Sequence, residues 1–503
     1  MTFQIQFKLR QHTPIIHFQW NENNASLRPT ELKSKLDKWL IAILANELRG
    51  NEKRREAALK TEKLKKWLRG AKLKDKSNPA FNYSVKISTI GNNKFEDEIN
   101  IEIDENNPIN PKLRNTDYPT YFGNQLKVKA INANGSFHPE DEYRTGKKRI
   151  KRLNYFTGVI ITFSSPFEDL LAEINNQFPS FLLKTNFGTR QGKGFGSFFI
   201  EKGAEGFPEN YDNWFNRKFS WKFDVTVEGN TEEKRMKNLF EKIDLFYKTL
   251  RSGINTKKFG GHYFKSLMWK YVKEDQKLQW DKKTIKQKFF LNNYKSTPEN
   301  ESTQKIRHNV IGIPSDNDSP LFWEEAMAEI FNKFLWRDLL GLSSVQQWKD
   351  YKLPNTNNHA TVYKEHIPSG NNQKIDRFKS PIFFKPIRTD INKFRVFFEV
   401  PSYIQIAFAQ NDQKGYADET AILGETIKIG TTSNLTLGSW GLKFPDSFNY
   451  NRFLAHVLNT TNLATYVKVK SPNDKSLKSL QEIFNQLKPQ AEAIFIKLNQ
   501  QQQ

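Results

Sequence analysis

Apolar and polar residues alternate at the start of the chain, where Phe3, Ile5, Phe7 and Leu9 share one face of a strand over Thr2–Arg10. The period then becomes helical. Leu32, Leu36, Trp39, Leu40, Ile43 and Leu44 form one stripe, and Pro29 suits the first turn. A second helical stretch runs from Lys53 to Gly70, with Leu59, Leu64, Trp67 and Leu68 available to dock it. After Pro79, period two returns at Phe81, Tyr83, Val85 and Ile87, and again at Ile99, Ile101 and Ile103. The Asn- and Pro-rich segment Asp104–Gly135 reads as an insertion or loop with a short strand at Leu126–Ala130. Thr157–Phe163 has the pattern of a buried strand, Pro166–Leu183 that of a helix interrupted near Pro179, and Ser197–Ile200 that of a further strand. Over residues 1–215 the order is βαββαβ with an insertion at about 50–150, which predicts a ferredoxin-like domain of the α+β class.

Residues 216–503 repeat the opening of that order in degenerate form. Phe219–Val227 alternates as a strand, and Glu232–Arg251 places Met236, Leu239, Phe240, Ile243, Phe246, Tyr247 and Leu250 at helical spacing. Phe322–Leu340, Phe448–Leu458 and Leu477–Leu487 read as further helices, and Asn499–Gln503 as a frayed tail. Arg377–Pro386 and Lys393–Val400 read as a strand pair. Pro381 and Pro386 cannot donate to a ladder and put the first strand at an edge. Arg377, Lys379 and Lys385 interleave there with Phe378, Phe383 and Phe384. That mix suits base stacking with phosphate contact, or an aromatic core beside surface lysines. The expected architecture is two tandem ferredoxin-like domains.

The strongest punctuation is Gly188-Thr-Arg-Gln-Gly-Lys-Gly-Phe-Gly-Ser197, between the second helix and the last strand of the first domain. Gly188, Gly192, Gly194 and Gly196 permit φ > 0, and Arg190 and Lys193 add cations, so exposed N–H groups there would cradle a phosphate. A Walker A or dinucleotide loop follows a strand and opens a helix; this one does the reverse, and no GK[ST] follows. A flexible connector accounts for the same residues. A second glycine-containing basic segment, Arg251–His262, reads either as another RNA-contact loop or as a helix C-cap at Gly253.

Charge sharpens the picture. Lys and Arg number 78 against 55 Asp and Glu, a net charge of +23 in 503 residues, which favours a polyanionic partner. The densest run is Arg144–Arg152, with Arg144, Lys147, Lys148, Arg149, Lys151 and Arg152. Lys53–Lys76 is also basic, and Arg28 and Lys33 sit at the start of the first helix, where cations oppose the macrodipole. A solvated charged face and an anionic partner both account for these positions. There is no cysteine, which excludes disulfides and thiol catalysis; no 18-residue apolar run predicts a membrane span, and the cytoplasm is the expected compartment. No HExxH, other metal-ligand spacing or GxSxG occurs, and no cofactor is expected. His12 and His17 are candidates for acid–base cleavage of RNA without metal if the fold brings them to the glycine loop; a structural role is the competing reading.

Three features in order resemble the RAMP superfamily of CRISPR-associated proteins: His12-Thr-Pro-Ile-Ile16, Leu27-Arg-Pro-Thr-Glu-Leu-Lys-Ser-Lys-Leu36, and the Gly188–Ser197 loop between the second helix and the last strand. The resemblance implies that Gly188, Arg190, Gly192, Lys193, Gly194 and Gly196 pack against guide-RNA backbone. It further implies a subunit of a type III effector, similar to the large two-domain RAMP subunit of Cmr complexes, which contacts guide RNA, target RNA and other subunits. Some RAMPs are guide-processing endoribonucleases that use a histidine, and this is the alternative reading. No aspartate here matches the position of the target-cutting loop aspartate of related subunits.

Overall fold

In the computed structural model the described residues are 2–16, 27–47, 51–69, 80–91, 93–104, 107–114, 148–255, 263–278, 280–282, 284–285, 334–343, 345–349, 359–367, 377–378, 380–400, 426–431, 441–463 and 475–500. The chain divides into two compact units. The first takes Met1–Phe246, Phe383–Glu399 and Lys475–Leu487; the second takes Tyr247–Ile382, Val400–Asp474 and Lys488–Gln503.

The first unit contains β1 (Phe3–Gln11), α1 (Pro29–Leu44), β2 (Ser84–Ile90), β3 (Asn93–Asp104), β4 (Asn107–Arg114), β5 (Lys148–Tyr155), β6 (Gly158–Ser165), α2 (Glu168–Leu183), β7 (Phe198–Ile200), β8 (Trp221–Thr226), most of α3 (Glu232–Arg251), β9 (Phe383–Asp390), β10 (Lys393–Glu399) and the first half of α4 (Lys475–Gln500). β1, β2, β6 and β7 make an antiparallel sheet in the order β2-β6-β1-β7. Its inward face carries Phe7, Leu9, Val159, Ile161 and Phe163, packed against Leu32, Leu36 and Leu40 of α1 and Phe178 and Phe181 of α2. The rings of Phe7 and Phe178 lie 4.6 Å apart. α2 runs unbroken through Pro179, contrary to the expected interruption. Proline removes one helical bond there, and the complete burial of Phe178, Phe181, Leu182 and Leu183 holds the turn together.

The basic stretch after Lys53 folds as helices Asn51–Lys60 and Glu62–Trp67. Leu64 and Trp67 are buried, Trp67 lies edge-on to Phe81, and Lys63 and Lys66 reach Glu173 (2.8 Å) and Asp169 (3.0 Å) of α2. The insertion contributes a sheet of order β4-β3-β5; β4 forms where the sequence pattern predicts a loop, while 126–130 lies outside the described residues.

A second antiparallel sheet, β9-β10-β8, packs against α3 and α4 through Phe246, which touches Phe398 (5.5 Å) and Phe484 (6.4 Å). The expected stripe of α3 is buried from Met236 to Leu250, and the helix ends with Gly253 at φ +72°, its N–H donating to Lys248 O (2.8 Å), the C-cap alternative of the sequence reading. As Pro386 predicts, β9 is an edge. Its open edge is capped by side chains. Asn186 Nδ2 donates to Phe384 O (2.8 Å), Ser197 Oγ donates to Pro386 O (2.8 Å), and the Arg388 N–H donates to His12 Nδ1 (3.0 Å).

Lys385, expected at the surface beside an aromatic core, is instead fully buried. Its ammonium donates to Thr185 O (2.9 Å), Asn186 Oδ1 (3.2 Å) and Phe198 O (2.9 Å), the two stems of the glycine loop. Burial, with a smaller push from Lys35, holds this group well below the usual lysine range.

In the second unit, strands Val345–Lys349, His359–Ile367, Thr426–Thr431 and Gly441–Lys443 form one antiparallel sheet in chain order. Asp338 and Lys364 form a buried ion pair, and Asp281 accepts the N–H groups of Trp336 and Arg337 (3.0 Å each). Of the predicted helix Phe322–Leu340 only the end is described, as a 3-10 turn at Arg337–Leu340; the helix at Tyr450–Thr460 agrees with expectation, whereas Lys475–Gln500 continues past the expected end at Leu487, through Pro489 and into the expected frayed tail.

The buried polar groups of the first unit set its response to mutation and to pH. Lys385→Met leaves three buried acceptors without a donor, at about 1–3 kcal/mol for each such group. Urea unfolding should show a loss of several kcal/mol, and a loss below about 1 kcal/mol would contradict the anchoring role. Burial also pushes the Asp37 carboxyl up to about 6, against the pull of Lys33. Because the folded state holds this proton more tightly than the unfolded chain, its stabilisation is complete below about pH 4 and is lost as the pH rises to about 6. The shift amounts to about 3 kcal/mol at about 1.36 kcal/mol per unit. The stability difference between wild type and Asp37→Asn should therefore fall across that window; a flat difference would refute the assignment.

Candidate nucleic-acid interface

The glycine loop leaves α2 at Leu183 and returns to the sheet at Phe198. Its course is dictated by two close approaches. Gly188 has φ +78°, and a Cβ there would lie 2.5 Å from Ile16 O; Gly196 has φ +65°, and a Cβ would lie 2.0 Å from Phe187 O. Any side chain at these positions meets backbone, so the glycines are required by packing.

The loop is stitched to the segment His12–Ile16. Thr189 N donates to Ile16 O (2.8 Å), Gly196 N to Pro14 O (2.9 Å), and Ser197 N to Thr13 Oγ1 (2.9 Å), while the Thr13 hydroxyl donates to Gly194 O (2.7 Å). α1 holds the other side. Glu31 accepts the Gly188 N–H (3.0 Å), and Lys35 donates to Glu31 (2.7 Å), Asn186 O (2.9 Å) and the Gln191 side chain (2.7 Å). Lys193 N and Gly194 N close a 3-10 turn on Arg190 O and Gln191 O.

Six loop N–H groups, those of Gly188, Thr189, Lys193, Gly194, Gly196 and Ser197, are thus donated inside the protein. The open phosphate cradle expected from the sequence is not built over the whole loop. What reaches the surface is its tip, Arg190–Lys193, with Arg190 in the left-handed region at φ +60°. At that tip both the Lys193 ammonium nitrogen and the Arg190 Nε are themselves covered by protein.

The other candidate cations separate. Arg28 is the half-buried N-cap residue of α1, one turn before the Glu31 that grips the loop. Lys33 points the other way. It pairs with Asp37 (3.0 Å), donates to Phe81 O (2.8 Å) and lies 3.6 Å above the Tyr83 ring, so it fastens α1 to the start of β2. Arg144 and Lys147 lie outside the described residues. Lys148, Arg149, Lys151 and Arg152 fall on β5, whose register sets Lys151 opposite Asp97 and Arg152 opposite Glu96 of β3.

His12 does lie beside the loop, with its backbone N–H on Ser197 O (2.8 Å), but it is 5% exposed and its Nδ1 already accepts the Arg388 N–H. Burial first, then Arg10, Lys385 and Arg388, hold its pKa well below the usual range. It is a neutral imidazole fixed in one tautomer, unsuited to exchanging protons with a bound RNA. His17 lies outside the described residues. Among the described residues no three His, Asp or Glu side chains converge as a metal site, and no helix is long and apolar enough to cross a membrane.

Sequence reasoning missed the residues that hold the loop: Thr13, Glu31, Lys35 and Lys385. The i,i+4 spacing of Glu31 and Lys35 is visible in the sequence as a helical pair. Nothing local marks Lys385, far along the chain from the loop, as its anchor.

A family model for the Cmr1 N-terminal domain matches residues 2–254, and one for the Cmr1 C-terminal domain matches residues 263–488. Among solved structures the chain is similar to Cmr1 from Pyrococcus furiosus in its apo form, at 11% identity and a TM-score of 0.28, over 83% of this chain and 92% of that one. No curated protein matches. The two domain models follow one another along almost the whole sequence, and the chain belongs to the Cmr1 family.

Proposed function

We propose that the chain is a non-catalytic subunit that holds RNA, both guide and captured target, within a Cmr-type effector. Membership of the Cmr1 family makes it a component of a type III CRISPR effector complex. The observation that carries the holding role is the surface tip Arg190–Lys193, kept rigid by α1, by the His12–Ile16 segment and by buried Lys385. A rigid, cationic loop tip on a protein of net charge +23 suits backbone contact with little base readout.

The strand orders favour the tandem reading of the fold. β2-β6-β1-β7, with α1 after the first strand and α2 after the third, is the order of a ferredoxin-like βαββαβ unit, and β9-β10-β8, with α3 after β8 and α4 after β10, is the same order without its last strand. The place of that strand is taken by Gln486 of α4, whose amide accepts from Asp224 N (2.7 Å) and donates to Asp224 O (3.0 Å). On this reading the first ferredoxin-like domain spans 1–215, and the degenerate one starts at 216.

Binding of a labelled single-stranded RNA in EDTA tests the function, with the product resolved by size. The RNA should remain whole, and affinity should fall with salt at a slope of about −0.7 per phosphate neutralised. Arg190→Ala combined with Lys193→Ala should weaken binding, and unchanged affinity would overturn the role of the loop tip. Cleavage inside a repeat-containing RNA, abolished in His12→Ala, would replace the holding role with guide processing. The expected result for His12→Ala is a lowered melting temperature and no change in RNA integrity.

A further inference from the structure

The sheet β2-β6-β1-β7 has a second face, turned away from α1 and α2. On β7 that face is closed: Phe199 is 1% exposed and lies 4.9 Å from Phe215 of the helix Tyr211–Lys218. On the other three strands it is open. Gln4, Gln6, Lys8 and Arg10 of β1 are exposed, as are the alternate positions of β2 centred on Lys86, and between them Thr162 of β6 is half-buried. The register places Gln6, Thr162 and Lys86 in one row across the three strands, with Gln6 Nε2 donating to Thr162 Oγ1 (3.3 Å).

The composition of this surface is one-sided. FQIQFKLRQ, GVIITFSS and SVKISTI contain three cations and not one Asp or Glu. A solvent-facing antiparallel surface ordinarily intersperses Lys with Glu, because opposite charges across strands stabilise and like charges repel. An acid reaches these cations from outside the three strands, where Glu201, just past β7, meets Lys8 at 2.8 Å. The remaining outward positions are chiefly amides and hydroxyls, which hydrogen-bond to phosphate and to ribose hydroxyls. Three strands at about 4.8 Å spacing make a strip roughly 10 Å across, on which half-buried Ile160 of β6 and exposed Ile90 of β2 are the apolar side chains.

We propose that this open face is a second RNA-holding surface, distinct from the glycine loop, which takes an extended single strand by its sugar–phosphate backbone. The proposal rests on the RNA-holding reading and adds its location. With no aromatic side chain at the outward positions of β1, β2 and β6, the binding is by charge and hydrogen bonds and carries no sequence preference.

The test uses the full chain and a labelled, unstructured single-stranded RNA. Gln6→Glu with Lys86→Glu alters two exposed positions, so the melting temperature should stay at the wild-type value while affinity at low salt falls about ten-fold or more. The salt slope should become shallower by about 0.7 for each phosphate that is no longer neutralised. Gln6→Lys should tighten binding, and ultraviolet crosslinks should map to peptides of β1, β2 and β6. Wild-type affinity in the charge-reversed variant, or crosslinks confined to the Gly188–Ser197 peptide, overturns the second surface and leaves the RNA-holding function in place. Absence of RNA binding by the wild-type chain overturns both.

Discussion

The first unit depends on a buried lysine that, among the described residues, is held by uncharged acceptors. Lys385 sits in the core with its ammonium on Thr185 O, Asn186 Oδ1 and Phe198 O. Removing such a group from water is costly, and three good acceptors offset that cost only if they stay in place. The constraint therefore acts in both directions. Strand β9 cannot shift without stranding the ammonium, and neither stem of the glycine loop can move without stranding an acceptor. The neighbouring bonds repeat the arrangement along the same edge, at Phe384 O, Pro386 O and Arg388 N. An edge strand that proline leaves unable to pair fully is closed by side chains from the loop it supports.

That closure changes what the glycines are for. In an open phosphate-binding nest they free the backbone to approach a ligand. Here Gly188 and Gly196 free it to approach Ile16 and Phe187 of the same chain, and most of the loop's donors are used before any ligand arrives. The segment His12–Ile16 and the loop are one structure, joined through Thr13, Pro14 and Ile16. The loop's rigidity is gained by giving up N–H groups, and its tip is what remains to meet a partner. His12 follows from the same geometry: it is near the loop because it is part of the support beneath it.

Much of this is legible in the sequence. Period-two and period-3.6 stripes locate β1, α1, β6, α2, α3 and β10 to within a few residues, because each buries a continuous apolar face. Pro386 marks an edge because proline's missing donor is a local fact. Pro179 misleads because a helix break is also local, whereas the packing of Phe178 and Phe181 that overrides it is not. Lys385 reads as a surface residue for the same reason. Its acceptors come from Thr185, Asn186 and Phe198, and no spacing rule links them to it. At the site, the loop and its boundaries are legible. The direction of its N–H groups, and the covering of the Lys193 nitrogen, require the fold.

Net charge is a sum, and a field depends on where the terms cancel. The lysine-rich helices cancel much of their own charge, with Lys63 on Glu173, Lys66 on Asp169, Lys35 on Glu31 and Lys33 on Asp37. The β5 run faces Glu96 and Asp97 across its ladder. The lysine-rich helices are thus not the places where positive potential is least opposed. Pairs at short range leave little field beyond the screening length of about 8–10 Å, whereas a few cations on strands without acids are cancelled chiefly by solvent. A chain of net charge +23 therefore presents its field to a polyanion where acids are fewest, and on the face of β1, β2 and β6 the acid that meets the three cations is Glu201, against Lys8.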